Sequence, residues 1–317
     1  MVTSKGVGLA VPDWPTTFGY NMFLFPFSKW VGGVFFEHTH RLIASAVGFL
    51  TIILAIWIWR VDSRRWMRWL GVAALGAVIL QGILGGLRVT MLKDQIGIFH
   101  ACLAQAFLGL LVVIAVATTE RWRSLSASVD HSELKRLERI AVFTALAIYT
   151  QLALGATMRH QHRDLSILDF PTANGRWIPD TSETAIARIN AWRDTQGLSD
   201  VTSFQIWLQM VHRFGALLVA TGAIALWSTV RKSKPRPPLL PTLSNVLLGL
   251  VACQILLGAW TIWSNKAADI ATTHVALGAA IFALTIAYCT IGYRLGHAPS
   301  LAPMTQSPVS ANLAVSS

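Results

Sequence analysis

The sequence predicts an all-α polytopic membrane protein built as two pseudo-repeated four-helix bundles, the first lacking its opening helix in this chain. Three observations carry that prediction. Apolar residues make up 54% of the 317-residue chain and charged residues only 13%, with a mean hydropathy of +0.53, so there are too few charges to cover a soluble surface of this size. Seven apolar stretches are long enough to cross a hydrocarbon layer of about 30 Å as helices of about 20 residues. Histidines recur at matching places in the two halves: His40 and His100 are 60 residues apart, and His212 and His274 are 62 apart.

In chain order the spans are about 38–60, 67–90, 96–119, 139–158, 205–230, 241–264 and 271–293. The net charge of +11 invites a nucleic-acid reading, but the basic residues gather in alternate short loops, as membrane topology demands. Arg60, Arg64, Arg65 and Arg68 follow the first span, Arg121, Arg123, Lys135, Arg136 and Arg139 the third, and Arg231, Lys232, Lys234 and Arg236 the fifth. Those loops are expected on the cytoplasmic side with the C-terminus, and the connections carrying Lys93 and Lys266 on the outer side. No basic run is interleaved with stacking aromatics, which removes the nucleic-acid reading. Trp57, Trp59, Trp66, Trp69, Trp260 and Trp263 cluster near span ends as interfacial anchors. Cys102, Cys253 and Cys289 fall within spans, show no metal-ligand spacing and read as packing residues.

Duplication extends beyond the histidines. Gln81-Gly82-Ile83-Leu84-Gly85-Gly86 recurs as Gln254-Ile255-Leu256-Leu257-Gly258-Ala259, with a related run Gln151-Leu152-Ala153-Leu154-Gly155-Ala156. Each glutamine is expected to bond across helices while its glycine allows close packing. Asp13-Trp14-Pro15 near the start of the chain answers Asp169-Phe170-Pro171 after the fourth span. By that register a first half over 1–125 has three spans, a second over 126–296 has four, and 297–317 is a disordered tail. The reading frame is expected to continue upstream with about 20 more apolar residues. The long external segment 159–204 is expected to cap the second half, and His131, His160, His162 and His297 to be solvated loop or tail residues.

The chemistry sits on the histidine-bearing spans. In an up-down bundle the second and fourth helices are diagonal neighbours, so His40 with His100, and His212 with His274, are placed to present imidazoles to the two faces of one planar macrocycle. Ala44, Ala104, Ala216 and Gly278, each one turn later on the same face, leave room for it. Ionisable and strongly polar groups at membrane depth are costly and mark function. Arg41 and Arg213 follow two of the ligands and are candidates to pair with porphyrin propionates. Glu37 stands one turn before His40 where the second half has Gln209. That carboxylate is the candidate catalytic group, able to take a proton or stabilise charge on a reacting carbon. His38 is expected to face away from His40.

Glu37-x-x-His40-Arg41, His100, His212-Arg213 and His274, with Val2-Thr3-Ser4 leading to Pro12-Asp13-Trp14-Pro15, resemble the haem A synthase family over about residues 1–293. The resemblance implies an eight-helix protein that oxidises the C8 methyl of haem O to a formyl group through successive hydroxylations. It implies that His40 and His100 hold the substrate haem O, that Glu37 assists at the methyl, and that His212 and His274 ligate a resident haem b. The implied setting is a bacterial plasma membrane, with catalysis towards the outer face. Implied partners are haem O synthase (protohaem farnesyltransferase) and terminal oxidase assembly factors, with a homo-oligomer possible. Cysteine pairs that some bacterial members carry in external loops have no counterpart in this chain. Two other readings stand beside it: a di-haem b electron carrier or quinol oxidoreductase without haem-modifying chemistry, and a transporter, which the absence of proline inside the spans argues against.

Overall fold

The computed structural model describes residues 10–125, 130–161 and 165–297. Nine α-helices occur among them: α1 (Gly32–Val61), α2 (Arg65–Met91), α3 (Asp94–Thr118), α4 (Glu120–Ser124), α5 (His131–Gln161), α6 (Glu183–Thr195), α7 (Ser203–Lys232), α8 (Leu240–Trp263) and α9 (Ala268–His297). Seven of these, all except α4 and α6, are long and apolar enough to cross a membrane. The chain is therefore an all-α, multi-pass membrane protein, as its hydropathy pattern predicts.

The spans outrun their apolar cores because the polar ends continue the same helices into the interface. Thus α1 begins at Gly32, α5 begins at His131, and α9 runs to His297. His131 and His297 are exposed, as expected, but stand in helices rather than loops, and His160 departs further. His131 opens α5; His297 closes α9, stacked on Tyr293; and His160 lies in the last turn of α5, buried at 9% exposure. His162, Lys5, Val2-Thr3-Ser4 and residues 298–317 of the expected tail lie outside the described residues.

Four spans close a ring: α5 packs against α7 and α9, and α8 packs against the same two, which leaves α7 and α9 facing each other across the diagonal. In the first half α2 packs between α1 and α3, and α3 continues the structure by packing against α5 and α9. Small residues permit the close approaches that drive helix association in lipid. A Cβ on Gly222 of α7 would run into the Thr144 hydroxyl of α5, and one on Gly109 of α3 would lie 3.2 Å from the ring of Phe282 on α9. The Tyr149 hydroxyl donates to the Cys102 carbonyl at 3.1 Å, tying α5 to α3.

At the ends of the spans that carry the histidines, two cap-like segments cover the helices. In the second half, α6 is held by Arg193, which donates to the carbonyls of Ser199 and Leu165, over a small core of Ile167, Ala173, Val201, Ile206 and Met210. In the first half, residues 10–31 lie over α1, with Phe25 and Trp30 against the ring of His38. His38 is buried and shares a hydrogen bond with the Thr17 hydroxyl, so it belongs to that cap.

Candidate functional site

The two caps contain the same turn, atom for atom. The Asp13 carboxylate accepts from the Thr16 hydroxyl and the amides of Phe18 and Gly19; the Asp169 carboxylate accepts from the Thr172 hydroxyl and the amides of Asn174 and Gly175. Phe18 and Asn174 have φ of 50° and 53°, and glycines follow at 76° and 75°, where a Cβ would be strained. Partial burial raises the Asp169 carboxyl, but the hydrogen bonds from Thr172, Gly175 and Asn174 outweigh it and hold it below the ordinary value; the same balance lowers Asp13. A depressed folded value means that this stabilisation is present above the unfolded pKa of 3.8 and is lost as pH falls through the lower folded value. The apparent Tm of the solubilised protein is therefore expected to fall between about pH 5 and about pH 3, and Asp13→Asn/Asp169→Asn to start lower and vary less over that range. An unchanged acid dependence in the double variant would remove these turns from the account.

The arginine after each first histidine holds that turn. Arg41 donates to the carbonyls of Asp13, Thr16 and Val11, and Arg213 to those of Asp169, Pro171 and Thr172. Their terminal nitrogens are thus committed to main-chain carbonyls. Both arginines thus position the caps, and Arg213 also lines the cavity of His212 and His274. Arg213 Nε is buried with no hydrogen-bond partner.

Glu37 and Gln209 do equivalent work at the start of the turn. Glu37 accepts from the Val11 amide at 3.1 Å and from Arg41 at 3.0 Å. Gln209 accepts from the amides of Ser166 and Ile167 and donates to the Ile167 carbonyl. Both side chains are buried, at 4% and 6% exposure; the first half places a carboxylate paired with Arg41 where the second places a neutral amide bonded only to main chain among the described residues.

Each repeated glutamine and its glycine serve one histidine. Gln81 donates to the His100 carbonyl at 3.0 Å, Gln151 to that of His212 at 2.7 Å, and Gln254 to that of His274 at 2.9 Å. One turn later, a Cβ on Gly85 would lie 3.3 Å from His100 Cε1, one on Gly155 would lie 3.6 Å from His212 Cε1, and one on Gly258 would lie 3.2 Å from His274 Cε1. The glutamine fixes the backbone that carries the imidazole, and the glycine lets the ring edge rest on the neighbouring helix. The next residue follows the cap: Gly86 lies under Trp14, where a Cβ would come within 2.5 Å of the indole, whereas Ala259 fits because Phe170 packs edge-on to Trp263.

These constraints aim His212 of α7 and His274 of α9 into one cavity of about 350 Å³, with ring centroids 6.5 Å apart and planes inclined by 66°. That separation leaves one gap between the two imidazoles, of a size for a single metal ion that both would hold. The walls include Ala216 and Gly278, the small residues expected on the ligand faces, with Leu152, Val251 and Ile255. The Nδ1 atoms of His212 and His274 are buried without partners, so neither ring is committed to a protein hydrogen bond at that atom. The site fits a bis-histidine haem.

In the first half, His100 is partly buried, and His40 stands exposed on α1 across α2 from it. The two are close enough to interact electrostatically. The structure thus brings the second histidine pair together in one cavity, whereas His40 and His100 stand on α1 and α3 with α2 packed between those helices. Ala101 and Gln105, on the helix that bears His100, form part of the wall of the His212–His274 cavity, so α3 alone separates the two sites. Sequence reasoning missed Arg159 of α5. It lines the enclosed cavity with its Nε buried and unpartnered, and lies near Arg88 of α2. Its position at the end of an apolar run hid it among interfacial arginines.

A duplicated all-α membrane protein, with paired histidines on diagonal helices and one pair spaced for a single metal, is the class that fold and site define. The chain belongs to the COX15-CtaA family of cytochrome oxidase assembly proteins, the haem A synthase family, whose model matches residues 1–286. It is similar to the heme A synthase of Shouchella clausii, with 27% identity over 90% of this chain and 87% of that one. It is likewise similar to those of Rhizorhabdus wittichii, with 26% identity over 78% and 69%, and Shewanella oneidensis, with 25% over 92% and 90%.

Proposed function

We propose that this protein is an oxidoreductase that converts haem O to haem A, oxidising the C8 methyl to a formyl group through successive hydroxylations. The reading assigns substrate to His40 and His100 and a resident haem b to His212 and His274. The observation that carries it is the 6.5 Å imidazole pair in a cavity that shares the wall of α3 with His100. When bound, haem b supplies one-electron redox chemistry beside the substrate site. The chain's own residues do the rest. Gln151 and Gln254 hold the ligand backbones, Ala216 and Gly278 leave room for the macrocycle, and Glu37 supplies a buried carboxylate one turn from His40.

Arg159 and the free Nε of Arg213 are the cavity's candidates for the propionates. Arg159→Gln is expected to lower the haem b midpoint potential by about 60 mV, because losing a nearby cation favours the ferric form. An unchanged potential would take Arg159 out of the site. The reading as a whole is tested by supplying haem O to the purified protein with an electron acceptor and identifying the extracted pigments by mass. Haem A is the expected product, and unaltered haem O with a functioning haem b would favour the di-haem carrier. One observation favours that rival: both oxygens of Glu37 are engaged in holding the cap, as Gln209 does without a charge.

The same reading places the protein in a bacterial plasma membrane, with chemistry towards the outer face and the C-terminus inside. Its proposed partners are haem O synthase as the source of substrate and terminal oxidase assembly factors as recipients.

A further inference from the structure

At the end of the spans remote from the histidines, a second cavity of about 1060 Å³ opens between the two halves. Its walls come from α2, α3, the short α4 and Arg64 just ahead of α2 on one side, and α5 and α9 on the other, so it lies along the seam where α3 joins the ring. Nothing in the haem reading uses it. The lining divides in two. Leu70, Val113, Ala117 and Val142 make an apolar stretch, and Arg64, Arg123, Arg294, Trp66, Trp122 and Tyr293 gather at the basic end.

The three arginines are not equivalent. Arg64 is consumed: it pairs with Asp62 and donates to the Ala117 carbonyl. Arg294 uses Nε on the Trp122 carbonyl and lies over the Trp122 ring, which leaves its terminal nitrogens clear of hydrogen bonds. Arg123 is exposed and makes no hydrogen bond or ion pair among the described residues, and feels Asp62 only at longer range. Glu138 is the carboxylate in the lining, and it forms no salt bridge with either arginine. With Asp62 neutralised by Arg64, the mouth carries two uncommitted guanidinium groups against one carboxylate, above an apolar trough open to the surrounding lipid.

A cationic, tryptophan-rimmed mouth on an apolar trough matches one occupant in chemistry and shape, a phosphodiester head bearing acyl chains. We propose that this cleft binds an anionic phospholipid from the leaflet at the basic end of the bundle, with its phosphate between Arg123 and Arg294 and its chains along Leu70, Val113 and Val142. Seated there, the lipid fills the seam between α2–α3 and α5–α9 and couples the half that carries Glu37 to the half that carries the enclosed histidine pair.

The test is native mass spectrometry of the full-length, detergent-solubilised protein equilibrated with equal amounts of phosphatidylglycerol and phosphatidylcholine. Wild type is expected to retain phosphatidylglycerol preferentially. Arg123→Gln/Arg294→Gln is expected to reduce that preference by roughly thirty-fold, the size of losing two cations at a lipid surface. Arg231→Gln/Lys232→Gln, at the end of α7, serves as a control expected to leave it intact. Equal retention of the two lipids by wild type, or an unchanged preference in the Arg123/Arg294 variant, would overturn the proposal. A wild-type arm needs no variant to fold: glycerol phosphate or inorganic phosphate that displaces the retained lipid at equal concentration would mark a free-phosphate site, and would also overturn it.

Discussion

Glu37→Gln is expected to abolish measurable conversion of haem O, a loss of about a hundredfold to ten-thousandfold, while the protein folds and keeps its haem b absorption. The substitution is nearly isosteric, and the second half shows that a neutral amide holds a cap where a carbonyl is there to receive its NH2 group. Gln209 holds the Ser166–Ile167 segment with the same kind of hydrogen bonds that Glu37 makes to Val11. A glutamine at 37 removes the charge and keeps the side-chain shape, but its amide faces two donors, so only one of the Val11 amide and the Arg41 guanidinium keeps its acceptor, and retained haem b absorption is the check that the fold survives. Glu37→Ala would confound the two roles, since it leaves the buried Val11 amide and one arm of Arg41 without a partner, at a cost of about 1–3 kcal/mol each. If Glu37→Gln makes haem A at the wild-type rate, the carboxylate is only a cap-holder and its catalytic assignment fails. A lost activity with lost haem b would instead indicate disruption beyond the first half.

His274→Ala is expected to empty the enclosed cavity of stable haem b, or to leave a five-coordinate pigment with altered absorption, and to stop turnover in either case. His212→Ala should behave alike, because the two imidazoles face one gap across the α7–α9 diagonal. His38→Ala provides the contrast. It removes a buried ring packed among Phe25, Trp30 and Thr17, and is expected to lower stability by about 2–4 kcal/mol without changing the haem b spectrum. Spectra of purified variants separate these outcomes, and a haem b band that survives loss of either His212 or His274 unchanged would contradict the assignment.

The spans and the His212–His274 pair were legible in the sequence because both are set by strong, local costs. A run of about 20 apolar residues has few other places to go, and a histidine at that depth needs a reason. The repeated Gln-x-x-Leu-Gly runs were also visible, but only the structure shows that each one serves the histidine of a neighbouring helix. What stayed hidden depended on distance in space. The equivalence of Glu37 and Gln209 as cap-holders is masked because α6 lies between Asp169 and Gln209, whereas no helix of that kind separates Asp13 from Glu37. The cap-holding work of Arg41 and Arg213 was hidden because their neighbours in sequence are the candidate ligands. The turns that absorb their hydrogen bonds lie 25 or more residues away. His160 looked like a loop residue because α5 carries its polar end beyond the apolar run, and burial against α3 cannot be read from composition.

Electron paramagnetic resonance of the oxidised, haem-loaded protein tests the central claim most directly. Two imidazoles on one ferric iron give a low-spin signal, and ring planes inclined by 66° predict the strongly anisotropic form rather than the rhombic form of parallel rings. That signal should vanish, leaving high-spin iron or none, in His212→Ala and in His274→Ala alike. The same low-spin signal persisting in either variant would show that these two side chains do not share a metal.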